Sequence, residues 1–427
     1  MKRFERKIID LLKPQLFAWA AVLIPIFAFA MPKISYWPLV LGGAGGLARH
    51  VLLRALPPRS MRALLIWMLL ALSWIAISST YAIDTGAGLV LFVKLAGFGL
   101  CGFILVWMAL EHGGTMKRAG GLGHLVGSAA IVVAMAVDFA TSGALTGLMF
   151  GAAARSAGID FNGTATIYLT LLAWPIFVWL RDAGRAWTAY LPLVIAFVFS
   201  LAFAQYAGVL ALLAGTTIYG MTMVRPKATA YVVAVLGAGF VLLAPVTGKL
   251  SEQTIRLNSA PPAFQVSVYH RTKIWEFSAK RIAERPIFGW GIDASRRIPG
   301  GGTRLDINRD LRFKDPNYPQ VLDRRFREVM IAMPLHPHNA ALQVWLELGL
   351  IGAVLFAALC AFIPVTCQRA AWSRRSMAAA LATFTAAYVI AMLSFSLWQS
   401  RWHAMLWLVA ASAIVLLSRP SGKARTD

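Results

Sequence analysis

Acidic residues are scarce in this sequence, and they never occur as an Asp-x-Asp pair. Aspartate and glutamate number 18, against 41 lysine and arginine residues. Carboxylates in close pairs commonly hold a divalent metal, whereas Asp306, Asp310 and Asp315 are spaced like a solvated acidic face. We therefore predict no metal site, and we expect any bound anion to meet fixed arginine and lysine side chains.

Cysteine is also rare. The three cysteines, Cys101, Cys360 and Cys367, lie in apolar runs and show neither metal-ligand nor disulfide-framework spacing. Basic runs interleaved with aromatic residues, which would indicate a nucleic-acid groove, are missing as well. The sequence thus argues against zinc modules, disulfide scaffolds and nucleic-acid binding, and it predicts no cofactor.

Apolar residues dominate instead, at 59% of the chain. Runs of roughly 18 or more apolar residues recur, and each is long enough to cross a bilayer as a helix. We predict an all-α, polytopic integral membrane protein with about twelve spans. The predicted spans are 15–32, 36–55, 62–81, 86–110, 120–138, 163–180, 187–204, 208–224, 228–247, 338–365, 377–397 and 402–418.

Every second connection between these spans is rich in lysine and arginine. The short connections on the other side carry only four basic residues, Lys33, Arg155, Lys249 and Arg401. Basic residues are retained on the cytoplasmic side of a membrane, so both termini are predicted to be cytoplasmic. The basic N-terminus lacks a small-residue cleavage site after the first apolar run, and we interpret it as a retained first helix rather than a signal peptide.

The same topology places one long segment, 250–337, outside the membrane. We expect a helix at 268–285, a turn at "PIFGWG" and a glycine-rich coil at "PGGGT". The segment has too little apolar content to form an independent domain, so we expect it to pack on the outer ends of the helices. The chain then divides into 1–249 with the first nine spans, the loop 250–337, and 338–427 with the last three spans and a cytoplasmic tail.

Two histidines stand at the end of this loop, in "PLHPHNAALQVWLELGLIG". Either His338 or Asn339 can cap the helix that follows, and Pro337 prevents that helix from extending backwards. The positive end of the helix dipole disfavours an imidazolium at this position, and a neutral imidazole is what a general base requires. On chemistry alone, a surface histidine that happens to precede a helix is an equal alternative.

The spacing of this motif resembles that of the O-antigen ligase and polymerase superfamily. His338–Asn339, nine residues, Gly349, two residues and Gly352 match the superfamily pattern at the corresponding place, after the long external loop. Two further stretches are similar: "RTKIWEFSAKRIAERPIFGWG", which begins at Arg271, and the weaker "RSAGIDFNGTA", which contains Arg155 and Asn162. The resemblance covers most of the chain in topology but only these patches in motif.

The resemblance implies a fold similar to the GT-C class and an inverting, metal-independent glycosyltransferase. Such ligases transfer O-antigen from undecaprenyl pyrophosphate to a sugar hydroxyl of lipid A-core at the periplasmic face of the bacterial inner membrane. His338 would be the base, and Arg271, Arg155 and Lys94 would bind the donor's pyrophosphate. Asn339, Gly349, Gly352 and Asn162 would support the site, with Gly349 and Gly352 allowing close approach of a neighbouring helix.

Several alternatives remain open at this stage. An O-antigen polymerase or a protein O-oligosaccharyltransferase would use the same donor with another acceptor, and a transporter of lipid-linked glycan would belong to a different class. A transporter often shows repeats or paired broken helices, and the sequence indicates neither. Lys94 is expected either to reach the headgroups or to face the pyrophosphate, and Glu347 is expected to pair with an inward-facing cation.

Overall fold

The computed structural model describes residues 20–151, 159–249, 262–305, 330–370 and 372–419. Within these ranges the chain forms thirteen α-helices and no strand. The helices are α1 (Leu23–Ala30), α2 (Trp37–Leu52), α3 (Arg62–Thr80), α4 (Thr85–Ala140), α5 (Ala144–Phe150), α6 (Ile159–Asp182), α7 (Leu191–Ala202), α8 (Tyr206–Val224), α9 (Pro226–Leu243), α10 (Pro262–Glu284), α11 (Ala340–Arg369), α12 (Arg374–Leu393) and α13 (Ser400–Leu417).

Eight of the described helices are long and apolar enough to cross a membrane: α3, α4, α6, α8, α9, α11, α12 and α13. The chain is therefore a multi-pass membrane protein, as the sequence predicts. The predicted number of spans differs for two reasons. The spans 86–110 and 120–138 are joined in α4, whose 56 residues continue through the glycine-rich stretch between them. The predicted spans at 15–32, 36–55 and 187–204 contain shorter described helices, α1, α2 and α7.

Helix α6 forms the centre of the bundle, because nearly all of its apolar window is buried. Tyr168 and Trp174 are fully buried large residues on this helix. Helices α1, α7, α12 and α13 pack around it, and α8 packs on α12 while α9 packs on α11. Small residues permit the close contacts: a Cβ atom on Gly215 of α8 would come within 2.5 Å of the Trp174 ring.

Helix α11 is broken at Gly349, which has a φ of 65° and a ψ of −161°. Three successive carbonyl groups before the break are satisfied from outside the helix. Leu346 O accepts from Trp290 N at 2.9 Å, Glu347 O accepts from Gly291 N at 2.9 Å, and Leu348 O accepts from the Trp74 indole at 3.0 Å. Irregular backbone at membrane depth is tolerated where the protein satisfies its polar groups in this way. The span predicted at 338–365 corresponds to α11, but the break at Gly349 is not part of that prediction.

The described part of the external segment lies on the ends of α3, α4 and α11. After α10 ends at Glu284, the chain makes a turn whose Gly291 has a φ of 93°, and a Cβ atom there would lie 2.3 Å from Ala82 Cα. Ile292 N then donates to Ser78 Oγ at 2.8 Å, and Arg297 pairs with Asp84, which caps α4. The "PIFGWG" turn is thus the piece of chain that fits against the break in α11.

Candidate functional site

His338 lies two residues before α11, in the left-handed region of backbone conformation with a φ of 51°. This conformation is uncommon for residues other than glycine, although histidine, like asparagine and aspartate, adopts it more often than most. It lets Asn339 cap the helix, because Asn339 Oδ1 accepts a hydrogen bond from Leu342 N at 3.0 Å. The His338 backbone N–H donates to His336 Nδ1 at 3.1 Å, so the two imidazoles lie with their centroids 4.2 Å apart.

The hydrogen bonds of His338 define its protonation pattern. Its Nδ1 atom lies 3.0 Å from the carbonyl oxygen of Ser394. A carbonyl oxygen can only accept, so Nδ1 carries the hydrogen, and in the neutral ring Nε2 is left with its lone pair. A second group that fixes the tautomer through Nδ1 is the usual arrangement for a histidine that acts as a base at Nε2.

Burial keeps both histidines neutral. Desolvation is the main cause that lowers the pKa of His338 to about 4, and the positive charge of Arg271 is the next largest. Desolvation, followed by the charges of His338, Arg296 and Arg271, lowers the pKa of His336 to about 3. At neutral pH each ring is therefore unprotonated, and the dominant cause is burial rather than the helix dipole considered from the sequence.

Arg271 lies beside His338 because α10 and the histidine segment are tied together. The Trp275 indole donates to Pro337 O at 3.0 Å, one turn of α10 beyond Arg271. Burial lowers the pKa of Arg271, and its charge in turn lowers the pKa of His270, His336 and His338. Arg271 stands well inside α10, since this helix begins at Pro262 and not at 268 as predicted.

Lys94 and Arg296 add positive charge around Asp293. Arg296 Nε donates to Asp293 Oδ1 at 2.9 Å, and the charge of Lys94 is close enough to lower the pKa of Asp293, although burial raises that pKa overall. Lys94 and Arg296 are both exposed. Lys94 thus belongs to the edge of the site on the histidine side of the protein, defined here as the side that carries His336 and His338.

Gly349 and Gly352 have a different role from the predicted approach of a neighbouring helix. A Cβ atom on Gly349 would come within 2.2 Å of Ile287 O, which belongs to the turn after α10. A Cβ atom on Gly352 would come within 2.2 Å of Leu348 Cβ, which belongs to the same helix before the break. The glycine spacing in the motif therefore encodes the break of α11 and the turn that fills it.

Asn162 takes part in another polar cluster. Its Nδ2 donates to Asp138 Oδ2 at 2.9 Å, and Asp138 also accepts from Thr146 N at 2.8 Å and from Thr146 Oγ1 at 2.7 Å. These contacts join α4, α5 and α6 and do not include the histidines. Asp138 was missed, although a buried aspartate within an apolar run was a usable signal. Arg155 lies outside the described residues.

Glu347 is fully buried, and its bonding partners among the described residues are not cations. Its carboxylate accepts hydrogen bonds from Asp293 N at 2.7 Å, from Ser295 Oγ, from the Trp398 indole and from Gln343 Nε2 at 3.2 Å. The expectation that Glu347 pairs with an inward-facing cation is wrong. Gln343 is one helical turn away, but Asp293, Ser295 and Trp398 come from distant stretches of chain that no local sequence signal brings together.

Comparisons with known proteins match the region that contains this site. The O-antigen ligase family matches residues 191–357, a stretch that includes Arg271, His338, Gly349 and Gly352. The chain is also similar to a protein of Rickettsia bellii named "Putative polysaccharide ligase", with 26% identity over 358 residues, 82% of this chain and 78% of that protein.

A relative from Rickettsia conorii carries the same description and is 35% identical over 163 residues, which is 38% of this chain. A relative from Rickettsia prowazekii is 34% identical over 161 residues. These two matches span about a third of the length of the relatives, 34% and 35% respectively. Residues 191–357 are thus similar to the O-antigen ligase family, and the chain is similar to proteins named as polysaccharide ligases.

Proposed function

We propose that this protein is an inverting, metal-independent glycosyltransferase that ligates O-antigen onto lipid A-core. The donor is undecaprenyl-pyrophosphate-linked O-antigen, and the acceptor is a sugar hydroxyl of lipid A-core. The observation that carries the proposal is His338, whose Nδ1 hydrogen is held by Ser394 O while burial and the charge of Arg271 lower its pKa and keep the ring a neutral base.

The base step follows from this tautomer. The acceptor hydroxyl gives its proton to His338 Nε2 as the oxygen attacks the anomeric carbon of the donor sugar. The bond from that carbon to the pyrophosphate oxygen breaks, and the oxygen leaves with the electron pair on undecaprenyl pyrophosphate. Attack from the face opposite the leaving group inverts the configuration of the anomeric carbon.

The leaving group needs positive charge where it develops negative charge. The charge of Arg271 acts on both histidines, the charge of Arg296 acts on His336, and Lys94 and Arg296 both act on Asp293. A guanidinium binds two phosphate oxygens in a planar fork and stays charged even when burial lowers its pKa. Fixed cations of this kind can replace a divalent metal. We also propose Arg155 for this role, from its motif alone.

A groove on the same side offers an apolar surface for a lipid tail. It has a volume of about 640 Å³ and is lined by the residues Ile77, Tyr81, Arg285, Pro286, Ile287, Phe288 and Gly289. Its lining belongs to the end of α3 and to the turn that fills the break in α11, so the groove and the histidines share one structural support. An apolar chain with a charged headgroup fits a site with one arginine at its edge.

The two sides of the protein differ in the residues that they carry. We propose that the histidine side is periplasmic and that both termini are cytoplasmic, in the bacterial inner membrane. The opposite side carries basic residues, as the positive-inside rule requires of a cytoplasmic face. Lys117, for example, donates to Asp182 Oδ2 at 2.8 Å and to Ser418 O at 2.9 Å, where α6 and α13 end.

The test is a transfer assay with purified protein, lipid-linked O-antigen and lipid A-core in the presence of EDTA. His338→Ala should lower transfer by about 10²–10⁴-fold, the range of general-base contributions. His112→Ala is the matched control, because His112 is a half-buried histidine at the middle of α4 and should retain activity.

Near-normal transfer by the His338→Ala protein would refute the proposal. Loss of wild-type activity in EDTA with recovery on added magnesium would refute its metal-independent form. Transfer to a second lipid-linked glycan or to a protein, with none to lipid A-core, would show the polymerase or the protein O-oligosaccharyltransferase instead.

A further inference from the structure

Two loops bring groups to the histidines. The first, named here the Ser394 loop, is 394–398 between α12 and α13, and its Ser394 carbonyl fixes the His338 tautomer. The second, named here the Arg296 loop, is 290–296, and its Arg296 is one of the charges that lower the pKa of His336. Neither loop is regular structure over its whole length, so something else must hold each in place.

Gln343 holds the Ser394 loop. Its Nε2 donates to Ser396 Oγ at 3.0 Å, and its Oε1 accepts from Leu397 N at 3.0 Å. The side chain is buried, with 1% exposure, so both bonds are made away from water. These bonds lie two and three residues from Ser394, and they set where its carbonyl oxygen meets His338 Nδ1.

Glu347 holds the Arg296 loop. One carboxylate oxygen accepts from Asp293 N and the Trp398 indole, and the other accepts from Ser295 Oγ and Gln343 Nε2. Asp293 has a left-handed φ of 61°, a conformation that needs such support. Asp293 Oδ1 in turn accepts a hydrogen bond from Arg296 Nε. The two terminal nitrogens of that guanidinium take no part in this bond.

Both residues lie on one face of the short helix 340–348. Asn339, Gln343 and Glu347 follow each other at intervals of four residues, which places them in a row along that face. Glu347 also joins the two loops directly, because Trp398 of the Ser394 loop and Ser295 of the Arg296 loop bond to the same carboxylate.

We propose that Gln343 and Glu347 are positioning residues of the transfer reaction, Gln343 for the base and Glu347 for the pyrophosphate-binding charge. The inference rests on the proposed function of His338 and the surrounding cations. It assigns separable roles. Loss of the Gln343 bonds frees the Ser394 carbonyl and disturbs the proton transfer, whereas loss of the Glu347 acceptor oxygens frees Asp293 and Arg296 and disturbs donor binding.

The experiment measures kcat and donor KM for Gln343→Met and Glu347→Gln in the transfer assay with undecaprenyl-pyrophosphate-linked O-antigen. Methionine keeps the length of Gln343 and removes every hydrogen bond. Glutamine at 347 keeps the shape of the side chain, but its NH2 group cannot accept the hydrogen bonds that a carboxylate oxygen accepts from the same donors. Trp345→Phe is the control, because it removes one hydrogen bond, from the Trp345 indole to Val241 O, from the same short helix.

We expect Gln343→Met to lower kcat by about tenfold or more with donor KM changed less than about threefold. We expect Glu347→Gln to raise donor KM by about tenfold with a smaller change in kcat. Ser396→Ala and Ser295→Ala should show the same two directions more weakly, and they carry the test if either larger change prevents folding.

Wild-type constants in Gln343→Met and Glu347→Gln, or the same losses in Trp345→Phe, would overturn the positioning roles. So would one common change of kcat and KM in both variants, because a general loosening of the helix predicts it. His338→Ala in the same assay separates the two ideas. If it is inactive while both variants behave as wild type, only the positioning roles fail; if it is active, the proposed function fails.

Discussion

The two halves of α11 differ in nearly every physical respect. Before the break, residues 340–349 are buried apart from the half-buried Trp345, and Gln343 and Glu347 each make several hydrogen bonds. After the break, Leu350 and Val354 are exposed at 42% and 51%, and no charged residue occurs until Arg369. The second half has the surface of a helix that faces lipid, and the first half has that of a core helix in a polar site.

This difference shows why one helix has to be broken. A continuous helix would have to satisfy both environments on a single axis, whereas the break lets the first half lie against the Arg296 loop. The contact is backbone to backbone: Trp290 N donates to Leu346 O and Gly291 N donates to Glu347 O, both at 2.9 Å. The break therefore separates the part of α11 that anchors the protein in the membrane from the part that presents His338.

The largest expected effect comes from removing the break. Gly349→Ala adds a methyl group at a left-handed φ and within 2.2 Å of Ile287 O, and a backbone atom cannot move aside as a side chain can. We expect destabilisation of roughly 3 kcal/mol or more and loss of transfer activity. Thermal unfolding in detergent measures it.

Gly239→Ala in α9 is the control for that measurement, because nothing lies within 4 Å of the added atom. It should be neutral or slightly stabilising, since alanine is favoured over glycine within a helix by up to about 1 kcal/mol. If the two alanine variants unfold at the same temperature, the break at Gly349 does not contribute to stability, and the difference between the two halves of α11 does not depend on it.

A smaller effect concerns the charge beside the first half. Arg271→Lys keeps the charge but lacks the planar fork, so we expect transfer to be impaired nearly as much as in Arg271→Ala, with both proteins folded. The two variants are compared side by side with lipid-linked donor and purified acceptor. Full activity of the lysine variant would refute binding of two phosphate oxygens by Arg271. Arg271 would then only contribute to a diffuse basic surface, and added salt should weaken transfer by the wild type and the lysine variant alike through screening.

The smallest effect is a dependence on pH that should be almost flat. A base must be unprotonated, and the pKa of His338 is lowered to about 4. Transfer should therefore stay near its maximum from neutral pH down to about 5 and fall only below that, whereas a histidine with an ordinary pKa of about 6.5 would already lose most activity at pH 5. A midpoint of the acidic loss of activity near pH 6.5 would mean that His338 is exposed to water and that burial does not lower its pKa.

The sequence predicted the class of fold because hydropathy is a strong, local signal. It failed at α4, where the helix continues through the glycine-containing connection predicted between the spans 86–110 and 120–138, and at Gly349, where a glycine inside an apolar run breaks the helix. A glycine permits either outcome, and the contacts of Ile287 and Leu348 decide it. Those contacts depend on residues far apart in the sequence.

The position of His338, Arg271 and Lys94 could be anticipated in part, because the motif and the loop order placed them on one side of the membrane. The structure brings His338 and Arg271 together and places Lys94 at the edge of the same site. The Ser394 carbonyl, the partners of Glu347 and the separate cluster of Asn162 could not be anticipated. Backbone groups and buried hydrogen bonds leave no spacing pattern in a single sequence.

The break also has a consequence for the order in which this protein is assembled. A glutamate is costly to insert into lipid, so the segment with Gln343 and Glu347 needs a protein surface that is ready to receive it. During synthesis the N-terminal parts emerge first, and Trp74, Ser78, the turn at 286–291 and Ser295 all precede residue 340 in the chain. The receiving surface is thus complete before the polar half of α11 leaves the ribosome, except for the loop at 394–398. Gln343 gains its partners Ser396 and Leu397 only after α12 has crossed the membrane, which makes the closing of that loop the last step in building the site.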